Sequence, residues 1–139
     1  MKQIVYLFFL LILFNYSLAN ASEKISLISL NDIKIIFSSS VQTWNETLVF
    51  LDKKSSMKKL QLENHNNYSL KSTFKNGYVL ITPYFEKGLV ETLNINYYFN
   101  NIDQNTIDLI FNHFQSLDVN FCNYIKTYKN DIFIDIKNC

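Results

Sequence analysis

Apolar and polar residues alternate along the middle of the chain, from about residue 70 to residue 99 of 139. A period of two is typical of β-strands that bury one face. Two turn sequences interrupt the alternation, Asn76-Gly77 and Glu86-Lys87-Gly88. We therefore predict an antiparallel β-meander, whose apolar face carries Leu70, Phe74, Val79, Ile81, Leu89, Leu93, Ile95, Tyr97 and Phe99.

The Asn76-Gly77 pair is the strongest hairpin signal in the sequence, because a two-residue type I′ turn needs positive φ at both positions. A loop of these two residues pairs Phe74 with Val79 and Ser72 with Ile81. This register keeps the apolar residues of both strands on the same face of the sheet, as a half-buried sheet requires.

A helical pattern follows the meander. Either Asp103 or Asn105 is suited to cap its start. The spacing predicts a helix over about 104–117 that packs on the apolar face of the meander. Its apolar stripe consists of Ile107, Ile110, Phe111, Phe114 and Leu117.

Residues 31–51 also carry apolar residues at spacings of three, four or seven, and Asn31 or Asp32 is suited to cap a helix there. The β-branched run 33–36 and the serines at 38–40 weaken helix formation. We predict a helix over about 31–45 with a strand at 46–51, and one continuous helix is the alternative.

The end of the chain predicts a second hairpin. A turn at Asn130-Asp131 pairs Lys126 with Asp135, Tyr128 with Phe133 and Ile125 with Ile136. The same register places Cys122 opposite Cys139, where cross-strand neighbours are close enough for a disulfide. In the competing interpretation, Phe121 and Ile125 continue the preceding helix, but the hairpin explains the cysteine pair and is preferred.

The first 21 residues have the pattern of a cleavable export signal. Lys2 precedes an unbroken apolar run at 4–14, and Ala19-Asn20-Ala21 forms a small-x-small cleavage site. The apolar run is too short for a membrane-spanning helix. We predict a signal peptide at 1–21, a single domain at 22–139 without a membrane anchor, and a periplasmic or secreted location where a disulfide is stable.

Composition excludes several classes of function. Without Lys2 the mature chain has 13 − 1 = 12 lysines, no arginine and 12 acidic residues, so its formal charge is zero. A neutral chain without arginine lacks the charge and the bidentate donors for nucleic-acid binding. Two glycines are too few for a nucleotide-binding glycine loop.

No catalytic, metal-binding or cofactor-binding constellation stands out. Two histidines, His65 and His113, supply too few ligands for zinc. A carboxylate pair could support glycoside hydrolysis, and the candidate pairs are Glu86 with Glu91 and Asp103 with Asp108. Turn formation and helix capping explain these four acids equally well. Asn45 and Asn67 match the N-glycosylation pattern, which matters in a eukaryotic source only.

Aromatic residues make up 16% of the chain, an unusually large share. Tyr78, Tyr84 and Tyr98 point away from the predicted apolar face. Such a face suits protein recognition, since large rings lose little entropy on binding. Burial of this face by the N-terminal helix, through Phe37 and Trp44, is the preferred arrangement, and an exposed interface is the alternative.

Together these patterns predict an α+β protein with an N-terminal helix, an antiparallel meander, a packing helix and a C-terminal hairpin closed by a disulfide. The expected function is non-catalytic binding outside the cytoplasm, inhibitor-like or immunity-like, by occlusion of a protein partner. The tyrosine-bearing face or the loop at 63–69, with His65 and Tyr68, would make the contact. The alternatives are a small secreted hydrolase and a structural envelope-associated protein. The oligomeric state does not follow from the sequence.

Overall fold

The computed structural model describes residues 25–55, 57, 60–62, 68–117 and 120–139. The predicted signal peptide and His65 lie outside these residues. The elements, in chain order, are helix α1 (Leu30–Phe37), helix α2 (Trp44–Lys54), strands β1 (Leu60–Leu62), β2 (Leu70–Phe74), β3 (Gly77–Glu86) and β4 (Leu89–Phe99), helix α3 (Gln104–Gln115), and strands β5 (Phe121–Tyr128) and β6 (Asp131–Asn138). The predicted α+β class is confirmed.

The strands form one antiparallel sheet of six, in the order β1-β2-β3-β4-β6-β5. The C-terminal hairpin joins the meander because β6 pairs with β4, with Ile95 opposite Ile134. Helix α3 makes the connection between β4 and β5. Meander and hairpin therefore share one sheet and one hydrophobic core, which the sequence patterns did not specify.

The predicted Asn76-Gly77 turn is wrong by one position. The turn residues are Lys75-Asn76, and Phe74 lies opposite Gly77. Neither Asn76 nor Gly77 has positive φ. Glycine is required at 77 for another reason: a Cβ there would collide with the backbone carbonyl oxygen of Tyr98 on β4. Gly77 is therefore the point where two strands approach closely.

This change moves each β2–β3 pairing by two residues, so that Ser72 faces Val79 instead of Ile81. An even shift leaves every side chain on its predicted face, because side chains alternate with a period of two. Leu70, Val79 and Ile81 are accordingly buried, as the alternation predicted.

The turn after β3 forms at Lys87-Gly88, as predicted, and both residues have positive φ (53° and 81°). A β-bulge follows, in which Glu91 is the extra residue between the pairs Tyr84–Thr92 and Phe85–Val90. The bulge reverses the alternation at the start of β4. Leu89, predicted on the apolar face, is instead 61% exposed, and Val90 is buried in its place.

The C-terminal hairpin also turns one position earlier than predicted, at Lys129-Asn130. Lys129 adopts the left-handed conformation, with φ of 53°. The predicted partners of Lys126, Tyr128 and Ile125 are therefore wrong. In the structure these residues face Phe133, Asp131 and Ile134, respectively.

Cys122 and Cys139 form the predicted disulfide, although Cys122 lies opposite Lys137. Cys139 follows the end of β6, and its N–H donates to the carbonyl oxygen of Asn120 at 3.0 Å. The two cysteines are thus diagonal neighbours, and their Cα atoms are 5.2 Å apart, within the normal disulfide range. The interpretation of Phe121 and Ile125 as a continued helix is wrong, since both lie on β5.

Neither predicted arrangement of residues 31–51 is correct, because two separate helices form. The first helix ends at Phe37 instead of near residue 45, and helix α2 covers the predicted strand at 46–51. Serine side chains end α1: Ser38 Oγ donates to the carbonyl oxygens of Lys34 and Ile35, at 2.9 Å each. Ser39 then hydrogen-bonds Thr47 on α2 at 2.7 Å. The predicted caps Asn31 and Asp32 are also wrong, since the cap of α1 is Ser29, whose Oγ accepts the N–H of Asp32 at 3.1 Å.

Helix α3 confirms the prediction for residues 104–117, and its cap is Asp103, whose Oδ1 accepts the N–H of Thr106 at 2.8 Å. Phe114 on α3 packs edge-on against Tyr97 of β4, with ring centroids 6.4 Å apart. The Tyr97 hydroxyl donates to the carbonyl oxygen of Ser26 at 2.7 Å, and burial raises the pKa of this phenol. No helix of the described segments is long and apolar enough to cross a membrane.

Candidate functional site: an open aromatic sheet face

All three described helices pack on one face of the sheet, and the opposite face, here called the open face, carries no described helix. Trp44 of α2 contacts Phe85, Ile33 and Ile36 of α1 belong to the core, and Phe114 of α3 contacts Tyr97. Alternation assigns these open-face side chains: Lys71, Thr73, Tyr78, Leu80, Thr82, Tyr84, Thr92, Asn94, Asn96, Tyr98, Tyr124, Lys126, Tyr128, Asp131, Phe133, Asp135 and Lys137.

The expectation that Phe37 and Trp44 cover the tyrosines of this face is wrong. Trp44 is fully buried on the other side of the sheet, edge-on to Phe85 at 5.8 Å between ring centroids. The ring of Phe37 packs on the ring of Phe121, with centroids 5.1 Å apart. The helices cover the aliphatic side because burying that side removes more apolar surface from water.

Aromatic rings form a connected ladder across the open face. Tyr78 and Tyr98 lie directly opposite each other on β3 and β4 and stack with centroids 5.0 Å apart. Phe133 of β6 meets Tyr98 edge-on at 6.1 Å. The ammonium of Lys71 lies 4.4 Å from the centre of the Tyr78 ring, a cation–π contact. These contacts hold the rings in fixed positions before any ligand binds.

Partial burial in this ladder raises the pKa of the Tyr98 phenol. Loss of water contact is the main cause, and the neighbouring Tyr78 and Asp131 add to it, while a hydrogen bond with Asn96 acts in the opposite direction. The phenol of Tyr98 is therefore held in its neutral form, able to donate a hydrogen bond.

Polar side chains lie between the rings in cross-strand rows. Asn94 donates to Asp135 Oδ1 at 2.6 Å, and Ser69 and Thr82 share a hydrogen bond of 2.8 Å. The amide oxygen of Asn96, next to the aromatic ladder, is buried and has no hydrogen-bond partner among the described residues. The open face thus combines apolar contact area with hydrogen-bonding groups.

The predicted binding residues are only partly brought together. Tyr78 and Tyr98 form the centre of the aromatic ladder, and Tyr84 lies further along β3, 55% exposed. Tyr68 is not part of this surface, because it packs on the core side against Phe85, at 5.0 Å between rings. His65 lies outside the described residues.

Three aromatic residues of the open face were missed by sequence reasoning: Phe133, Tyr124 and Tyr128. Tyr124 and Tyr128 are 66% and 58% exposed. The alternation of Asp131, Phe133 and Asp135 with three buried isoleucines could have revealed the face of β6. It could not have revealed that β6 lies beside β4, because that contact depends on strand order.

The structure brings the predicted carboxylate pair Glu86 and Glu91 together beside the β3–β4 turn. The two side chains share a hydrogen bond, and this bond and the repulsion between the two charges raise the pKa of Glu86. Both residues are exposed and line an open depression. Substrate sites are usually concave and enclosed, whereas this pair lies in solvent beside a turn. The pair does not favour a hydrolase.

The other candidate groups have structural roles. Asp103 caps α3, and Asp108 accepts a hydrogen bond from Gln104 at 2.9 Å. His113 Nε2 and the carbonyl oxygen of Ile28 lie 2.6 Å apart, a hydrogen bond that ties α3 to the segment before α1. Within the described ranges, no group of three His, Cys, Asp or Glu residues could hold a metal ion.

We expect Glu91→Gln to lower the pKa of Glu86 back toward 4.5, its ordinary value. The substitution removes the neighbouring charge and leaves an amide that can donate to the Glu86 carboxylate. Because the pKa of Glu86 is raised in the folded protein, ionisation of this carboxyl lowers the free energy of unfolding as pH rises above about 4.5. Glu91→Gln should remove this loss of stability. NMR titration of the Glu86 carboxyl carbon measures the pKa directly.

Glu46→Gln on α2 is the control, since it removes one exposed acid that does not contribute to the raised pKa of Glu86. It should leave the Glu86 titration unchanged. An unchanged Glu86 titration in Glu91→Gln would show that Glu91 does not perturb Glu86.

Fold and site together define an α+β protein with one helix-covered face and one open aromatic face. Comparison with protein-family models, with curated protein sequences and with solved structures found no match to this chain. The functional interpretation therefore depends on the chemistry of the open face.

Proposed function

We propose that the protein is an exported, non-catalytic binding protein, inhibitor-like or immunity-like, that acts by covering the surface of a protein partner. The observation that carries this proposal is the open face, where stacked aromatic rings lie among hydrogen-bonding side chains. Aromatic residues are enriched at the centres of protein interfaces, and tyrosine is among the most frequent hot-spot residues.

The geometry of the aromatic ladder supports high affinity at low entropic cost. Tyr78, Tyr98 and Phe133 are already held by their mutual ring contacts, so few rotamers are lost on binding. The exposed rings of Tyr84, Tyr124 and Tyr128 extend the apolar area around this centre. An open antiparallel face of this kind suits contact with a protein surface better than enclosure of a small molecule.

Export is the second part of the proposal. The sequence pattern of residues 1–21 supports cleavage of a signal peptide, release of a single domain at 22–139 without a membrane anchor, and a periplasmic or secreted location. The disulfide Cys122–Cys139 is consistent with an oxidising, exported location. No cofactor and no nucleic acid enter this mechanism.

The test is affinity capture from the envelope extract and medium of the source cells, with the purified protein as bait. The wild-type protein should retain a specific partner. Tyr78→Ala and Tyr98→Ala should each weaken its retention roughly 30-fold, the effect of losing a hot spot of about 2 kcal/mol. Quantitative mass spectrometry of the retained proteins gives the ratio.

Phe50→Ala on α2 is the matched control, because Phe50 is an exposed aromatic residue on the helical side of the protein, which is the side of the sheet opposite the open face. This variant should retain the partner as the wild-type protein does. Absence of any specific partner would contradict the proposal. So would a partner that is lost with Phe50→Ala and kept with both open-face variants.

A further inference from the structure

Strand β5 forms one end of the sheet, and its outer side pairs with no described strand. Its register with β6 is continuous over eight residue pairs. The N–H of Cys139 bonds to Asn120, so the hydrogen-bonded rungs fall at every second residue from Asn120. The backbone N–H and C=O groups of Phe121, Asn123, Ile125 and Thr127 therefore point outward, along the free edge.

This edge lacks most of the features that prevent strands from pairing with other chains. It is eight residues long, without proline, glycine or a bulge, whereas β1 at the other end has three residues. The disulfide at Cys122 and the turn at Lys129-Asn130 hold its two ends. An edge that is already ordered loses little entropy when a further strand is added.

We propose that a second copy of this chain adds to this edge, with β5 paired antiparallel to β5 of the partner subunit about a two-fold axis at Ile125. In this register Ile125 faces Ile125 of the partner subunit on the helical side. Asn123 faces Thr127 of the partner subunit, and Tyr124 faces Lys126 of the partner subunit on the open side. Apolar, polar and cation–aromatic pairs are thus each matched.

Competing registers are less complementary. An axis at Tyr124 would oppose polar Asn123 with apolar Ile125 of the partner subunit. An axis at Asn123 would shorten the paired segment. The axis at Ile125 allows about six main-chain hydrogen bonds between the copies and an axis at Tyr124 about eight, because in both registers each outward residue meets another outward residue. The axis at Ile125 is preferred for its side-chain pairs, since an axis at Tyr124 also opposes apolar Phe121 with polar Thr127 of the partner subunit. It also keeps each Lys126 away from a directly opposing lysine.

The pairing joins two six-stranded sheets into one of twelve strands. A two-fold axis perpendicular to the sheet keeps the helices of both copies on the same side. The two open faces then form one continuous aromatic surface across the axis, lined near its centre by Tyr124 and Tyr128 of each copy. This inference goes beyond the proposed function, since it holds whether or not a further protein binds that surface.

The test compares Tyr124→Lys with Tyr124→Glu by sedimentation equilibrium of the purified protein over a wide concentration range at low salt. The wild-type protein should show a reversible monomer–dimer equilibrium. In the Tyr124→Lys dimer the new lysine of each copy lies opposite Lys126 of the partner subunit, so two like-charge pairs form. Association should therefore weaken roughly 2- to 30-fold. Tyr124→Glu creates two opposite-charge pairs with Lys126 and should strengthen association by a similar factor.

A purely structural effect of Tyr124 would have the opposite sign. Within one chain Tyr124 lies opposite Asp135, so lysine at this position favours the folded monomer and glutamate disfavours it. Thermal unfolding of the same variants measures the order of their monomer stabilities independently of association. Tyr84→Lys and Tyr84→Glu are the controls, because Tyr84 is an exposed tyrosine of the same face that lies on β3, away from the edge.

Two outcomes would overturn the proposal. The first is a wild-type protein that stays monomeric over the whole concentration range. The second is a dimer whose association constant changes in the same direction in Tyr124→Lys and Tyr124→Glu, or changes equally with the Tyr84 variants. Neither outcome bears on capture of a protein partner by the open face, so the two proposals fail separately.

Discussion

We expect Phe114→Ala to lower the free energy of unfolding by about 3–5 kcal/mol, the usual cost of deleting a buried aromatic ring. Phe114 is fully buried and joins α3 to the sheet through its edge-on contact with Tyr97. Alanine would leave a cavity between helix and sheet that neither element can close without moving. Because domains are stable by only about 5–15 kcal/mol, this one change would remove a large part of the total stability.

Urea or guanidinium unfolding measures the loss, and Leu109→Ala is the matched control. Leu109 lies on the same helix but is 44% exposed, so its truncation should change stability by no more than about 0.5 kcal/mol. Equal effects of the two substitutions would show that α3 does not anchor the sheet through Phe114.

We expect removal of the disulfide, by Cys122→Ala with Cys139→Ala, to lower the free energy of unfolding by about 3 kcal/mol. The two cysteines are 17 positions apart, and the bridge restricts the unfolded chain over that loop. The folded hairpin depends on this restriction, because the side chains of β5 are exposed or only half-buried. Little apolar burial is available to hold β5 on β6 without the bridge.

Unfolding of the oxidised protein, the reduced protein and the double-alanine variant tests this expectation. Reductant should destabilise the wild-type protein and should leave the double-alanine variant unchanged. If the variant were as stable as the oxidised wild-type protein, the contribution of the bridge would be negligible.

Helix α3 shows how far a local pattern can predict structure. Its stripe, its cap at Asp103 and its contact with the apolar face of the meander all agree with the prediction. Capping and helical periodicity depend on residues within a few positions of one another, so they can be read from a short segment. The two hairpins were predicted for the same reason, as alternating runs separated by turn sequences.

The hairpin registers show the limit of such prediction. Both turns form one position earlier than their best turn sequence, at Lys75-Asn76 and Lys129-Asn130. Gly77 explains the first shift, because the backbone of β4 at Tyr98 occupies the space where a Cβ would lie. That contact joins residues far apart in sequence, so turn propensity alone could not reveal it.

The candidate site was predicted in part. The direction of Tyr78, Tyr84 and Tyr98 away from the core followed from alternation, and the structure agrees. The arrangement that placed Phe37 and Trp44 on these tyrosines was wrong. Periodicity identifies two faces of a strand, but it does not say which face a distant helix will cover.

The sequence by itself determined the α+β class, the apolar face of the meander, helix α3 and the cysteine pair, because each depends on spacing along the chain. Only the tertiary structure decided that β6 joins β4, that the bulge at Glu91 exposes Leu89, and that every described helix packs on one side. These features depend on which distant surfaces bury the most apolar area together. The open aromatic face is the side that this burial left uncovered.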